Sequence, residues 1–305
     1  MSVATTELLF DLSLIGLLIG LACSAMHSAR LYTGVVLFIV FGLMLALTWA
    51  RLGAMDLALA EAAIGAGLIG VMLLAALAGA ATEHRSESHR LASAGSLLLG
   101  LLVLALLMRG ALPLLSGSQP LPEQVMAQLD TTGVSHPVTA VLLNYRAWDT
   151  LLELVVVLLA LLGLRQLHVV RRQYATPWPL LSAWSRVLVP IAVVLAGYLL
   201  WRGSHAPGGA FQAGAVLAAG AVVLRLAGLL PALGWQRASM RVLVLMGAGV
   251  FVMVAATTAW LGQGWLVYPA GWNSTLIILI EIAATLSIAA SLTLLVVGEG
   301  NEVEP

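Results

Sequence analysis

Six charged side chains stand within or beside long apolar runs, and all are of types that hold protons or small cations: Asp56, Glu61, Arg146, Asp149, Glu153 and Glu281. An ionisable group in hydrocarbon costs at least about 2.5–3.5 kcal/mol, so each should meet a partner helix, a hydrated cavity or the bilayer boundary. Asp56 opens the run Arg51-Leu-Gly-Ala-Met-Asp56-Leu-Ala-Leu-Ala-Glu61-Ala-Ala-Ile-Gly65-Ala-Gly67, where a helix N terminus favours an acid. Glu61 lies more than a turn deeper, among alanines and glycines that let other helices approach closely. Its natural partners are an arginine, a second acid sharing a proton, or water. Arg146, Asp149 and Glu153 are spaced three and four apart and share one helical stripe. Arg146 and Asp149 either anchor the helix as an ion pair or join an ion path. Glu153 is left over, precedes the uninterrupted run Leu154 to Leu162, and is best placed to handle a proton or cation. Glu281 has Thr285 on its face and no basic residue in its own run; a bound proton or Arg225 neutralises it, and both readings are open.

Other polar positions read more simply. Glu7 and Asp11 share one face near the end of the first run and reach the interface. The string Trp201-Arg202-Gly203-Ser-His205-Ala-Pro207-Gly208-Gly209-Ala-Phe211 reads as a tight break between two runs, enforced by Pro207, Gly208 and Gly209. His27, His84, His89 and His168 fall in loops without acid or cysteine partners at ligand spacing. No metal site and no cofactor is expected.

The elements that must position these groups follow from composition. The chain of 305 residues is 61% hydrophobic and 9% charged, with a mean hydropathy of +1.03. Soluble domains carry about 25% charge. A soluble enzyme, a disordered chain and a disulfide scaffold are excluded, the last because Cys23 is the sole cysteine. Fourteen basic against 14 acidic residues also argue against a nucleic-acid binder. Every basic residue is arginine, so this polypeptide supplies no lysine for a Schiff base, a P-loop or a proton relay.

A membrane helix needs about 20 apolar residues to cross about 30 Å of hydrocarbon. The sequence predicts an all-α polytopic membrane protein with about nine transmembrane helices, near 7–25, 31–50, 56–80, 93–111, 148–167, 186–202, 208–228, 240–261 and 273–297. Val138 to Ala147 forms an apolar approach to the fifth. The first run begins with Glu7 and Asp11 rather than a basic segment, so it reads as a retained span and not a signal peptide. Cytoplasmic loops retain arginine. Arg30, Arg85, Arg90, Arg165, Arg171, Arg172, Arg186, Arg225, Arg237 and Arg241 fall on one face, against Arg51, Arg109 and Arg202 on the other. That distribution predicts an N terminus outside and a cytoplasmic C terminus carrying Glu299, Glu302 and Glu304.

The longest connection, about Leu112 to Pro137, reads as an outer loop with one helical turn near Glu123 to Gln128. The basic stretch Arg171 to Trp184 divides five spans from four. No internal repeat of the kind found in many self-sufficient carriers is evident.

These segments resemble known modules. Phe41 to Leu77 is similar to the MbhD-like domain shared by multisubunit Mrp-type cation/proton antiporters and membrane-bound hydrogenases. The stretch Val138-Thr139-Ala-Val-Leu-Leu-Asn144-Tyr-Arg146-Ala-Trp-Asp149-Thr150-Leu-Leu-Glu153 resembles the MbhE-like segment. Arg202 to Phe211, with the helices around it, resembles the MrpB subunit (MnhB domain), whose arginine, histidine and proline-glycine-glycine motif matches Arg202, His205, Pro207, Gly208 and Gly209. Met55 stands where the first pattern has proline, and Glu281 where the last has aspartate. The order of these segments suggests a fusion: an MbhD-like module over 1–112, the outer loop with an MbhE-like segment over 113–170, and an MrpB-like four-helix module over 171–305. The first five spans also look like the small subunit that couples the redox and pumping arms of respiratory complex I.

The resemblance implies a subunit of an Mrp-type Na⁺/H⁺ antiporter in the prokaryotic cytoplasmic membrane, with Na⁺ and H⁺ as ions, and not an enzyme. It implies a cation path through Glu61 and Glu153, helped by Asp56, Asp149 and Arg146. Large antiporter-like subunits, expected to carry lysine-glutamate pairs, would be its partners. Rival readings are a non-catalytic membrane subunit of a hydrogenase or complex I-like pump, a structural subunit that only seals interfaces, and a module energising another carrier, such as one for inorganic carbon.

Overall fold

Apolar side chains and the need to satisfy backbone groups internally leave helices as the building material, and among the described residues the computed structural model contains helices and no strand. It describes residues 3–79, 90–115, 121–166, 178–231, 233–262 and 264–298. Arg85, His84, His89, His168, Arg171, Arg172 and the acidic tail at Glu299, Glu302 and Glu304 lie outside them.

The chain forms two units, residues 1–79 with 129–305, and residues 80–128. The smaller holds α5 (Arg90–Leu115) and the short α6 (Leu121–Ala127), the turn expected between Glu123 and Gln128. The larger begins with α1 (Val3–His27), α2 (Leu31–Arg51) and α3 (Met55–Ala60). A π-helical stretch, Glu61–Leu68, carries α3 into α4 (Ile69–Gly79). The amide of Ile69 reaches back five residues to Ile64 O, which marks the wider turn. A short α7 (Pro137–Ala140) and a second π-helical stretch, Val141–Tyr145, then lead into α8 (Ala147–Gln166). The last helices are α9 (Pro179–Arg202), α10 (Ala210–Leu226), α11 (Ala238–Trp260) and α12 (Asn273–Val297).

Seven helical runs among the described residues are long and apolar enough to cross a membrane: α1, α2, α3 through α4, α8, α9, α11 and α12. Helix α10 and the apolar part of α5, Leu97–Leu112, are shorter.

In the larger unit α12 is the hub, packed against α8, α10 and α11 and touching α4 and α9. Of its apolar span 61% is buried, against 6% for α1, which packs on α2. Apolar area alone does not drive association in lipid, so close approach and interhelical hydrogen bonds must contribute. A β-carbon at Gly214 of α10 would stand 2.7 Å from Ile288 of α12, and one at Gly247 of α11 would stand 2.8 Å from Ser287. Ser287 in turn donates to Val244 O at 2.5 Å. Ile277, Ile280, Ile288 and Phe251 fill the space between these contacts.

Candidate proton and cation site

The candidate acids form two groupings. The first centres on the turn between α9 and α10. Gly209 adopts φ +107°, a left-handed conformation that favours glycine. Its amide donates to Leu199 O at 2.9 Å. A β-carbon at Gly203 would lie 2.6 Å from Gly209 Cα, and one at Gly208 would lie 2.5 Å from Leu199 O, so the loop closes on itself only because both are glycine.

Residues from elsewhere clamp this loop. The amides of Ser135 and His136 donate to Ser204 O at 3.0 and 3.2 Å. Thr139 Oγ1, a buried group, donates to Gly203 O at 2.5 Å. Asp56, in the first turn of α3, accepts from Gly208 N at 3.3 Å, and its other carboxylate oxygen pairs with His136 Nε2 at 2.9 Å. Gln212 Nε2 donates to Asp56 O at 3.5 Å. Glu281 meets the same loop from α12. Its Oε1 lies 3.2 and 3.3 Å from where β-carbons at Gly203 and Gly209 would stand. Glu281 is 3% exposed and its Oε2 has no hydrogen-bond partner among the described residues. The expected alternative of an ion pair with Arg225 is not formed; Arg225 Nη1 instead donates to Leu230 O at 3.3 Å, near the other end of α10 from this loop. Arg202 turns its guanidinium to Tyr198, donating to the hydroxyl at 2.7 Å, and His205 stacks on Trp201 with ring centroids 5.6 Å apart.

The second grouping lies along α8. Glu153 and Asp149 line an apolar groove of about 600 Å³, together with Ile64 of the first π-helical stretch, Phe211 of α10 and Ile288 of α12. Arg146 Nη2 reaches Asp149 Oδ2 at 2.5 Å, an exposed pair, while Glu153 has no ion pair among the described residues. Glu61 opens the π-helical stretch that contributes Ile64. Its carboxylate folds back over Gly65, and its Oε1 lies 3.4 Å from where a β-carbon at Gly42 of α2 would stand. Small residues at 42 and 65 thus leave the room it occupies. At the far end of α2, Arg51 pairs with Asp11 at 2.8 Å and with Glu7 at 3.6 Å, all three partly exposed.

Local spacing did not single out His136, Thr139 or Tyr268. His136 meets Asp56 across 80 positions, and Thr139 meets Gly203 across 64. The usable signal was topological: the expected spans put Asp56, the 112–137 loop and the 203–209 turn on one face. Tyr268 donates to Leu143 O at 2.7 Å, satisfying a carbonyl of the second π-helical stretch, and burial pushes its phenol pKa up, which keeps it a donor.

The MbhD family model, which describes a component of MBH, matches residues 16–82, and one described as a domain related to the MnhB subunit of Na⁺/H⁺ antiporter matches residues 180–300. Two stretches of the chain are thus an MbhD-like and an MnhB-like domain. Its fold is similar to a chain in the structure of the Mrp complex from Dietzia sp. DQ12-45-1b, with a TM-score of 0.77 and 21% identity. That likeness covers 96% of this chain and 35% of the other, so this chain spans about a third of its length. A chain of the membrane-bound sulfane sulfur reductase (MBS), an archaeal respiratory membrane complex, is similar with a TM-score of 0.52 and 21% identity, over 66% of this chain and 96% of that one. No curated protein matches.

The domain matches give the polar contacts a meaning. Asp56 and Glu61 fall in the MbhD match, the 203–209 loop and Glu281 in the MnhB-related match, and His136, Arg146, Asp149 and Glu153 between them. The bonds from Gly208 and Gln212 to Asp56 therefore tie one matched domain of this multi-pass membrane protein to the other.

Proposed function

We propose that the chain is a subunit of a multisubunit Na⁺(cation)/H⁺ antiporter in the prokaryotic cytoplasmic membrane, crossing it about nine times with the N terminus outside and the C terminus cytoplasmic. The observation that carries the reading is the placement of Glu61 and Glu153. Neither has an ion pair or a hydrogen bond among the described residues, and both belong to elements that wall one groove, in a chain with MbhD- and MnhB-like domains. A carboxylate in low dielectric requires a compensating cation. In this reading Glu61 and Glu153 bind Na⁺ or H⁺ alternately along a hydrated route completed by a large antiporter-like subunit. Arg146 holds Asp149 at the end of that route, while Asp56 and Glu281 contribute at the 203–209 loop, outside the groove. Residues 1–112, 113–170 and 171–305 form the MbhD-like, MbhE-like and MnhB-like pieces.

The test is Glu153→Gln in the assembled complex. Na⁺-dependent ΔpH changes in everted vesicles should be abolished while the complex still assembles; retained exchange ends the assignment. The MbhD match also supports a second reading, since the MbhD-like domain is shared with membrane-bound hydrogenases. There the chain serves as an ion-translocating membrane subunit of a redox pump, and iron-sulfur proteins copurify with it.

A further inference from the structure

The buried carboxylate on α12 lies one helical turn beyond the wall of a cavity. A cavity of about 540 Å³ is lined by Ser274 and Ile278 of α12, by Ser135 and by Ser204. Ser274, Ile278 and Glu281 follow one another along a single stripe of the helix, and Glu281 lies within one turn of Ile278. Ser204 adjoins Gly203, whose backbone packs against Glu281 Oε1. The cavity thus ends beside the loop under which Glu281 Oε2 lies without a partner. The Glu153 groove is lined by other residues, and α12 contributes to it through Ile288 and Leu292.

The chemistry of the surroundings selects the ligand. An alkali ion stripped of water needs several oxygens in place of its hydration shell, whereas a proton needs one carboxylate oxygen. The Thr285 hydroxyl is turned to Glu281's own backbone oxygen, at 2.7 Å. Gln212 Oε1 lies 3.8 Å from the β-carbon position of Gly209, on the loop side. The charged and titratable groups around the loop are Asp56 and His136, bonded to each other, then Arg202 and His205 at its start and Asp130 in the cavity wall. None forms an ion pair with Glu281.

We propose that Glu281 is a proton-binding site separate from the Glu61 and Glu153 groove, filled through the 540 Å³ cavity and covered by the Gly203–Gly209 loop. The inference rests on the reading of this chain as part of a cation/proton path, but its test does not measure transport. Infrared difference spectra of the purified complex in H₂O and D₂O report protonated carboxyl groups. A carboxylic acid band is expected in the unaltered protein and in Glu153→Gln, and is lost in Glu281→Gln. Its exchange with deuterium is slowed by Ser274→Trp and by Ile278→Trp, each of which fills the cavity. A band that survives Glu281→Gln, a band that Na⁺ abolishes, or an exchange rate that both tryptophan variants leave unchanged overturns the proposal. If Glu153→Gln retains Na⁺/H⁺ exchange while the Glu281 band behaves as expected, the antiporter reading fails and the proton site stands.

Discussion

The turn between α9 and α10 and the groove along α8 both set acids among apolar helices, but they satisfy them in opposite ways. At the turn, Asp56 accepts from a histidine and a backbone amide, and three segments distant in sequence converge on one glycine loop. Along the groove, Glu61 and Glu153 have no ion pair among the described residues, and the exposed Arg146–Asp149 pair is closed. Polar groups that are hydrogen-bonded rigidify a structure, while uncompensated acids cost stability and persist for another reason. The first region is thus closed by hydrogen bonds and the second is the one proposed above to carry ions, while Glu281 Oε2 at the turn has no hydrogen-bond partner among the described residues.

Substitutions can break that contrast. Gly209→Ala should be the most damaging, because it forces a left-handed conformation on alanine and brings a β-carbon 3.3 Å from Glu281 Oε1. Strain of this kind costs on the order of 1–3 kcal/mol before the contact is counted, and loss of the complex on mild heating in detergent measures it. Thr139→Val leaves Gly203 O without its 2.5 Å donor in a buried setting, at about 1–2 kcal/mol by the same assay. Arg146→Gln opens an exposed pair and should change stability by at most about 1 kcal/mol. Glu61→Gln should have the least effect on heating, since no bond among the described residues is lost, yet it should abolish Na⁺-dependent ΔpH. A Glu61→Gln complex that melts early but still exchanges ions would make the groove architectural and reverse the contrast.

Much of the helical framework was legible before any contact was known. The run expected at 31–50 is Leu31–Arg51, and the one expected at 273–297 is Asn273–Val297. Hydropathy suffices there because each span must satisfy its backbone internally and face apolar surroundings along its length. The tight break at Pro207, Gly208 and Gly209 was equally legible from residue type. The Arg146–Asp149 pair could be read from spacing, since both lie on one helical stripe. The approach segment at Val138 to Ala147 was seen as apolar but not as a π-helical stretch; its wider turn shows in the bond from Arg146 N to Val141 O at 2.7 Å. Tyr268 and Thr150 help satisfy that stretch by donating to Leu143 O and Leu142 O.

The alternation of apolar helices with loops and the identity of the acids among them can be read along the chain, because both are properties of a residue and its near neighbours. Which acids are compensated depends on how the helices pack. Asp56 finds His136 across 80 positions, whereas Glu281 Oε2 has no hydrogen-bond partner among the described residues. The physical reason is that compensation acts over a few ångströms. Helix packing sets those distances through close contacts such as Gly214 against Ile288 and Gly203 against Gly209, and not through spacing along the chain.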